Sequence, residues 1–221
     1  MQKKKAIIIG ATGLTGGFLL DALLMHPDFD EVISFGRRAT GKKSAKLKEV
    51  TVDIVEETAW LEEVKADVVF CCIGTTKAKT PDQDKYKAID YGVPVKLAQA
   101  SKRNGVTHFI VISALGANPN SSIAYNRIKG EMERDVMEQG VSHTYVLEPS
   151  LIMGDREEKR TGEKIAQFVM PLFHCLMIGG LKKYRAIRST DIALAMLKLS
   201  LQEKHNSGRI LSDEIKEISR W

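Results

Sequence analysis

Three glycines, spaced three residues apart, follow the first apolar run of the chain. Residues 5–10 form a β-branched run that predicts a strand, and residues 14–25 have helical spacing. Gly10, Gly13 and Gly16 lie where the two elements meet. At such a junction glycines let the backbone approach a pyrophosphate, which the free N–H groups of the helix N-terminus bind. A flexible turn is the alternative, but the position at the first strand–helix junction favours dinucleotide binding.

Apolar runs alternate with helical segments along the first two thirds of the chain. Predicted strands cover residues 5–10, 32–36, 49–54, 67–73, 108–113 and 143–148. Predicted helices cover residues 14–25, 58–64, 82–104 and 124–139. This alternation predicts an α/β fold, a Rossmann-like doubly wound parallel sheet. After Glu148 the pattern is looser, and a helix at 190–202, a strand at 209–211 and a terminal helix are expected.

The length and composition bound the domain organisation. At 221 residues, 43% of them hydrophobic and 28% charged, the chain is an ordinary globular protein and short for two domains. Residues 1–221 are therefore predicted to form a single NAD(P)-binding domain. Residues 1–148 form its cofactor-binding core, and residues 149–221 form a small C-terminal appendage on the substrate side.

Charge and cysteine content limit the partners and the location. A net charge of +5 favours anionic small molecules and is low for a nucleic-acid binder, and the basic stretch 37–48 contains no interleaved aromatics. No membrane is expected, because no apolar stretch reaches the ~20 residues of a spanning helix. The three cysteines, with Cys71 and Cys72 adjacent, do not suit a disulfide framework, and no secretion signal is recognisable. The protein is expected to be cytoplasmic, and the sequence leaves its oligomeric state open.

The end of the second predicted strand indicates which dinucleotide is bound. Arg37 and Arg38 occur about 20 residues after the glycine loop, where an acidic residue would bind the ribose hydroxyls of NAD. A guanidinium can instead pair with a 2′-phosphate, so the pattern predicts NADPH or NADP as cofactor. Asp53 is expected beside the adenine, and Gly74 is expected to let the ribose lie against the backbone.

Tyr125 and Lys129 form a candidate acid–base pair. Residues four apart share one face of a helix, so Lys129 can reach the cofactor ribose below the Tyr125 ring. The cation, helped by oxidised nicotinamide, is expected to lower the pKa of the phenol, so that Tyr125 exchanges a proton with a carbonyl or an alcohol. Ser113, at the end of the fifth predicted strand, would bind the substrate carbonyl, with Ser121 and Ser122 as alternatives.

Other chemistries lack their sequence patterns. The five histidines show no metal-ligand spacing, so no metal site is predicted. The chain has no G-x-S-x-G elbow and no G-x-x-x-x-G-K-[ST] phosphate loop.

Several segments together resemble one superfamily. The chain is similar to the atypical short-chain dehydrogenases/reductases, and within them to the Tat-interacting-protein-like oxidoreductases and their bacterial relatives. The matching segments are Gly10-Ala-Thr-Gly-Leu-Thr-Gly16, Phe35-Gly-Arg-Arg38, Val52-Asp53, Phe70-Cys-Cys-Ile-Gly-Thr-Thr76, Tyr125-x-x-x-Lys-Gly-Glu131 and Gly154-Asp-Arg-Glu-Glu-Lys-Arg-Thr-Gly-Glu163.

The resemblance implies roles for individual residues. Tyr125 would exchange the proton, with Lys129 beside it on the ribose. Ile152 and Arg160 match positions at the nicotinamide end. The implied NADPH site consists of Thr12, Gly13, Leu14, Thr15, Arg37, Arg38, Ile73 and Gly74.

The chain departs from this resemblance at two positions. Relatives often carry Arg-Pro after the sixth strand, where this chain has Glu148-Pro149. Relatives often have a second serine where Ala114 follows Ser113. The first change removes a contact for an anionic substrate, and the second leaves the catalytic hydroxyl open.

Two functions are consistent with these residues. The first is an NADPH-dependent oxidoreductase that reduces a small carbonyl compound. The second is a non-catalytic NADPH-binding regulator that contacts a protein partner. A nucleotide-sugar epimerase is disfavoured because few residues follow Glu148. The substrate pocket is predicted within residues 151–181, where the candidate lining residues are Phe168, Met170, Leu172, Phe173 and Met177. The alternative, which is equally consistent with the sequence, is that these side chains pack as ordinary core.

Overall fold

The computed structural model of the chain describes residues 3–153, 179–202 and 206–220. The strands within these residues are β1 (Lys4–Ile9), β2 (Phe29–Gly36), β3 (Leu47–Thr51), β4 (Val68–Cys71), β5 (His108–Ile112), β6 (His143–Glu148), β7 (Ile152–Met153), β8 (Ile187–Arg188) and β9 (Gly208–Leu211). Seven of them form one parallel sheet in the order β3-β2-β1-β4-β5-β6-β9. β7 and β8 pair with each other.

Helices connect the strands. The α-helices are α1 (Leu14–Met25), α2 (Gln83–Lys87), α3 (Val93–Arg103), α4 (Ala124–Glu138), α5 (Ser189–Leu201) and α6 (Ser212–Ile218). A π turn (Ala88–Gly92) joins α2 to α3, and two 3₁₀ turns are formed by Ala59–Glu63 and Gly179–Tyr184.

Both faces of the sheet are buried, which explains why its strands are continuously apolar. On one face Ile8 packs in a cluster with α1 and α5, through residues such as Leu20 and Met196. On the other face Ile7 packs in a cluster with α3 and α4, which includes Leu97. Each fully buried aliphatic side chain contributes roughly 1.5–3 kcal/mol, so these two clusters hold the sheet between its helical layers.

Prolines determine two local features of the helices. α1 ends at Met25, and His26 is extended (φ −74°, ψ 133°) because the following Pro27 disfavours a helical residue before it. Pro94 lies at the start of α3 and cannot donate an N–H to the carbonyl of Asp90, four residues earlier. The π turn accommodates this missing bond within a continuous helical segment.

The predicted fold class is confirmed, with local differences. β3 ends at Thr51, three residues before the predicted end. The chain turns at Asp53, whose side chain accepts the backbone N–H of Val55. The predicted helix at 58–64 is a 3₁₀ turn. The strand order reverses direction between β1 and β4, and this switch point is where open α/β sheets bind ligands.

Candidate active site

The glycine loop is tightly packed against the end of β4. Gly10 has φ +88°, and a Cβ there would lie 2.7 Å from the carbonyl oxygen of Cys72. A Cβ on Gly16 would lie 2.1 Å from the carbonyl oxygen of Gly10. The N–H of Gly13 donates to that same oxygen at 2.9 Å. The loop is therefore a fixed backbone structure that excludes side chains at Gly10 and Gly16.

α1 begins directly after this loop with free backbone donors. Its N-cap is Gly13, and no side chain caps the first N–H groups. An uncapped helix N-terminus next to a backbone surface without side chains fits a pyrophosphate. Thr12 and Gly13 are exposed there, whereas Leu14 is half-buried and Thr15 and Gly16 are buried in the start of the helix.

A cleft at the switch point brings together predicted cofactor residues from the glycine loop, from the end of β2 and from the segment after β4. Its walls are the glycine loop, the end of β2 with the residues after it, Ile54 and the segment after β4. The lining residues are Gly10, Ala11, Thr12, Gly13, Ser34, Phe35, Gly36, Arg37, Arg38, Ile54, Cys72, Ile73 and Gly74. These residues fit a dinucleotide, because the bare loop faces the helix N-terminus and the arginines lie further along the same cleft.

The two arginines and Asp53 differ in their surroundings. Arg37 and Arg38 are exposed at the cleft, and among the described residues neither forms an ion pair with a carboxylate. The side chain of Asp53 instead accepts the backbone N–H groups of Val55 and Glu56 at 3.0 and 3.3 Å. Ile54, which follows Asp53, is the residue of this turn that lines the cleft.

Two lysines of the basic stretch support α1. Lys42 forms an ion pair with Asp21 on that helix. The Nζ of Lys46 donates to the carbonyl of His26, just after the helix, at 2.9 Å. These contacts match a structural, solvated loop better than a nucleic-acid surface.

Tyr125 and Lys129 lie one turn apart at the start of α4. Tyr125 is 42% exposed and Lys129 only 4%. The Nζ of Lys129 lies 2.9 Å from Oδ1 of Asp90, which is 1% exposed, on the π turn. Oδ2 of Asp90 accepts the N–H of Thr75 at 2.9 Å. Asp90 thus connects Lys129 to the segment that follows Gly74 in the cleft at the switch point.

Burial and two neighbouring charges act on the pKa of Tyr125. Burial raises the pKa of Tyr125, Lys129 lowers it and Asp90 raises it, with a net increase. Burial lowers the pKa of Lys129, but Asp90 and Tyr125 raise it by more than burial lowers it. The net pKa is therefore raised, and this side chain stays cationic. In the chain without cofactor, burial and Asp90 together outweigh Lys129. The lowering of the pKa of the phenol that is expected with oxidised nicotinamide beside it stays a prediction.

Ser113 is buried and belongs to a charged cluster. Its hydroxyl donates to Glu133, a fully buried carboxylate of α4. The other oxygen of Glu133 lies 3.0 Å from Nε of Arg209 on β9. The structure does not bring Ser113 to the cleft that Tyr125 lines, and Ala114 is there instead.

The alternative serines also make local contacts. Oγ of Ser121 accepts the N–H of Ile123 at 3.1 Å, and the carbonyls of Ser121 and Ser122 accept from Arg127. Neither of the two serines lines the cleft beside Tyr125. The identity of a catalytic hydroxyl other than Tyr125 stays a prediction.

A second cleft, of about 540 Å³, opens beside Tyr125. It is formed by the segments that follow β5 and β6 and by the 3₁₀ turn before β8. The lining residues are Ala114, Leu115, Gly116, Tyr125, Glu148, Pro149, Ser150, Leu151, Lys183, Tyr184 and Leu211. Ile152 packs against the core behind it. Arg160, Phe168, Met170, Leu172, Phe173 and Met177 lie outside the described residues.

Sequence reasoning singled out Glu148, which lines this cleft, but missed its ion-pair partner Arg209. Glu148 stands where relatives often have arginine, and Arg209 supplies a guanidinium from β9, 3.7 Å from Glu148. Burial and the neighbouring Glu133 raise the pKa of Glu148 to about 7, although Arg209 and Lys183 lower it. Asp90 was also missed. Its signal was a carboxylate on an apolar helical stripe with Tyr86, Val93 and Leu97.

The chain matches a known protein family over most of its length. Residues 10–171 match the family described as NAD(P)H-binding. The chain belongs to the NAD(P)H-binding family. It is a member of the atypical short-chain dehydrogenase/reductase superfamily, as the sequence resemblance predicted.

Curated relatives of this NAD(P)H-binding chain include two fungal proteins. "Protein fmp52-1, mitochondrial" of Aspergillus terreus is 32% identical over 201 residues, covering 88% of this chain and 86% of the relative. "Protein FMP52, mitochondrial" of Candida glabrata is 31% identical over 205 residues, covering 92% and 88%. Their names contradict the predicted cytoplasmic location, which is wrong by this comparison. Cysteine content separates reducing from oxidising compartments and does not distinguish one reducing compartment from another.

Solved structures share the fold of the family. The Bordetella bronchiseptica enzyme WbmH in complex with NAD+ aligns with a TM-score of 0.71 at 19% identity, covering 99% of this chain and 80% of that one. The UDP-N-acetylglucosamine 4-epimerase of Methanobrevibacter ruminantium M1 aligns with a TM-score of 0.69 at 17% identity, covering 98% and 81%. At these identities the likeness shows the Rossmann-like fold.

The described residues contain neither a membrane-spanning helix nor a cluster of metal ligands. No helix among residues 3–153, 179–202 and 206–220 is long and apolar enough to cross a membrane. In the same ranges, no three or more histidine, cysteine, aspartate or glutamate side chains are grouped as metal ligands would be.

Proposed function

We propose that the protein is an NADPH-dependent oxidoreductase that reduces a small carbonyl compound. The observation that carries this proposal is the position of Asp90, which contacts both Lys129 and the N–H of Thr75. This contact connects the glycine-loop cleft to the tyrosine–lysine pair. A cofactor in the first cleft would therefore have its reactive end near Tyr125, which lines the second.

NADPH is proposed over NADH because of the charge at the cleft. Arg37 and Arg38 are exposed along the cleft, where the 2′-phosphate of NADPH would lie. Asp53, the nearby carboxylate, has its side chain in a local turn. Residues 1–148 are proposed to hold the cofactor, and residues from 149 onward to form the substrate side.

The chemistry divides between the cofactor and the protein. NADPH, when held in the first cleft, would supply the hydride, and with it two electrons, for reduction of the carbonyl carbon. Tyr125 donates its phenolic proton to the carbonyl oxygen, which completes the alcohol, and the phenolate then takes a proton from solvent. Lys129, held as a cation, stabilises that phenolate and would bind the ribose hydroxyls. The cleft beside Tyr125 would hold the small substrate next to the phenol.

The test combines binding and turnover. Thermal unfolding is measured with NADPH, NADP, NADH and no ligand, because a ligand that binds the folded state raises its stability. NADPH oxidation is then measured with a panel of small aldehydes and ketones for the native protein and for Tyr125→Phe. Tyr91→Phe is the matched control, since Tyr91 bonds to Asp135 outside both clefts.

The expected result is stabilisation by NADPH and NADP, turnover of at least one carbonyl, and loss of turnover in Tyr125→Phe with unchanged NADPH affinity. NADPH binding without turnover of any panel member, identical in both proteins, would favour the regulator instead. No stabilisation by any dinucleotide would exclude both functions.

A further inference from the structure

Asp90 occupies an unusual place for a carboxylate. The buried stripe of the helical segment 83–103 contains Tyr86, Val93 and Leu97, and Asp90 lies on the same stripe. The π turn at Ala88–Gly92 adds an extra residue to the helical turn at this point. Such turns in helices occur frequently at functional sites. A buried carboxylate must be paired or hydrogen-bonded to be tolerated, so its partners indicate its role.

Both oxygens of Asp90 have specific partners. Oδ1 lies 2.9 Å from Nζ of Lys129, and Oδ2 accepts the N–H of Thr75 at 2.9 Å. A Cβ added to Gly74 would lie 3.6 Å from Oδ1, so the loop after β4 lies close against this carboxylate. A single side chain therefore fixes the acid–base lysine and the segment that lines the cofactor cleft.

The groups facing Asp90 come from three elements. Lys129 and Tyr125 face it from α4, Tyr86 from α2 and Cys71 from β4. Burial raises the pKa of Cys71 to about 12, and burial with Asp90 raises the pKa of Tyr86. Both groups are therefore neutral near pH 7. The two charges that act on the pKa of Tyr125 among the described residues are those of Lys129 and Asp90, and they oppose each other.

The balance of these charges decides the state of the phenol. A lysine cation alone would favour the phenolate, whereas a carboxylate close to that cation cancels much of its effect. Burial adds to the carboxylate, since it disfavours the charged phenolate. Tyr125 is thus held in the form that can donate a proton.

We propose that Asp90 is a positioning residue of this site: it fixes Lys129 beside the 74–75 loop and keeps the Tyr125 phenol protonated. The role rests on the proposed function, in which Tyr125 donates its proton to a carbonyl oxygen. It makes two demands that a purely structural ion pair does not. Removal of the Asp90 charge must change the acidity of Tyr125, and it must also weaken cofactor binding at the adjoining loop.

The test measures the ionisation of Tyr125 directly in the Asp90→Asn variant. The full chain is labelled with 3-fluorotyrosine, whose phenol is more acidic than tyrosine, so that it titrates while the protein is folded. Fluorine NMR follows each tyrosine with pH, and the resonance absent from Tyr125→Phe identifies Tyr125. Asp135→Asn is the matched control, because Asp135 bonds to Tyr91 and Arg134 away from Lys129.

The expected result is a titration midpoint of Tyr125 at least one pH unit lower in Asp90→Asn than in the native protein, with no change in Asp135→Asn. The dissociation constant of NADPH, measured by calorimetry, is expected to rise at least threefold in Asp90→Asn alone. An unchanged or higher midpoint would overturn the proposal, as would an unchanged dissociation constant.

A second pair of variants covers the case in which Asp90→Asn does not fold because Lys129 is left buried without a counter-charge. Lys129→Gln is then compared with the double variant Asp90→Asn, Lys129→Gln. The Tyr125 midpoint is expected to be lower in the double variant, and equal midpoints would contradict the proposal. These titrations need no substrate. A shifted midpoint in a protein that turns over no carbonyl would support the role of Asp90 while rejecting the proposed reaction.

Discussion

At the scale of single residues, the proposed preference for NADPH rests on Arg37 and Arg38. Because both are exposed along the cleft, they can pair with a 2′-phosphate without breaking an existing ion pair among the described residues. Replacing both by alanine is expected to weaken NADPH binding about tenfold or more, since hydrogen bonds to charged groups contribute roughly 1.5–3 kcal/mol. NADH binding should change little. Calorimetric titration with each dinucleotide measures the difference.

Lys43→Ala is the control for this change, as Lys43 is an exposed cation of the same basic stretch. If the arginine variants lose NADPH and NADH affinity equally, the arginines do not recognise the 2′-phosphate. A loss in Lys43→Ala of the same size would indicate a general effect of positive charge.

Glu148 gives the fold a pH dependence of its own. Its pKa is raised from 4.5 to about 7, mainly by burial. Below pH 4.5 the carboxyl is protonated in both the folded and the unfolded chain. Between pH 4.5 and 7 the unfolded chain releases the proton first, so the contribution of Glu148 to stability falls as pH rises. Above pH 7 the contribution stays at its lower value.

Glu148→Gln should remove this fall, because the amide does not ionise. Chemical denaturation at pH 5 and pH 8 is expected to show a smaller decrease in the free energy of unfolding for the variant. One group contributes a slope of up to about 1.4 kcal/mol per pH unit. Glu138→Gln, on the exposed side of α4, should follow the native protein. A native-like decrease in Glu148→Gln would contradict the shifted pKa.

At the scale of elements, α1 contains two adjacent glycines with opposite requirements. A Cβ on Gly16 would lie 2.1 Å from the carbonyl oxygen of Gly10, whereas one on Gly17 would meet its nearest atom, the carbonyl oxygen of Ala11, at 3.6 Å. Gly16→Ala is expected to lower the free energy of unfolding by about 1–3 kcal/mol through overpacking. Gly17→Ala should be neutral or stabilising by up to about 1 kcal/mol, because alanine favours the helix.

Thermal and denaturant unfolding of the two variants compares them directly. Gly16→Ala should also lose dinucleotide binding, since the loop must move to relieve the contact. Equal stability of both variants would mean that the loop is not packed as the structure shows.

Sequence patterns predicted elements well where a single physical rule decides them. α1 and β6 begin and end at the predicted residues, since Pro27 stops the helix and the apolar run of β6 ends at Glu148-Pro149. β7 and β8 were not predicted, because two-residue strands are too short to show a period of two. The π turn was not predicted either, because helical spacing alone does not reveal an added residue.

The candidate site was predictable only in part for the same reason. The glycine loop, the arginines and the tyrosine–lysine pair are each local in sequence. The Lys129–Asp90 pair joins residues of two helices, and the Ser113–Glu133–Arg209 cluster joins β5, α4 and β9. Such contacts depend on the sheet order, which the spacing of residues along one segment does not contain. For this reason the prediction that Ser113 binds the substrate carbonyl did not foresee its hydrogen bond to Glu133.

At the scale of the whole molecule, the proposed function depends on two clefts. One lies at the switch point of the sheet and the other beside Tyr125, and Asp90 contacts a residue of each adjoining segment. This arrangement supports the proposed hydride transfer, in which a cofactor and a substrate would meet at one acid–base pair.

The most direct measurement is the transfer of deuterium from NADPH to a carbonyl compound. Protein is mixed with NADPH deuterated at the transferring position of the nicotinamide and with the aldehyde panel, and the alcohols are analysed by mass spectrometry. We expect at least one alcohol with a single deuterium on its carbinol carbon, formed by the native protein and lost in Tyr125→Phe. Tight NADPH binding with no deuterium in any product, at any pH between 5 and 9, would contradict the assignment as a reductase of small carbonyls.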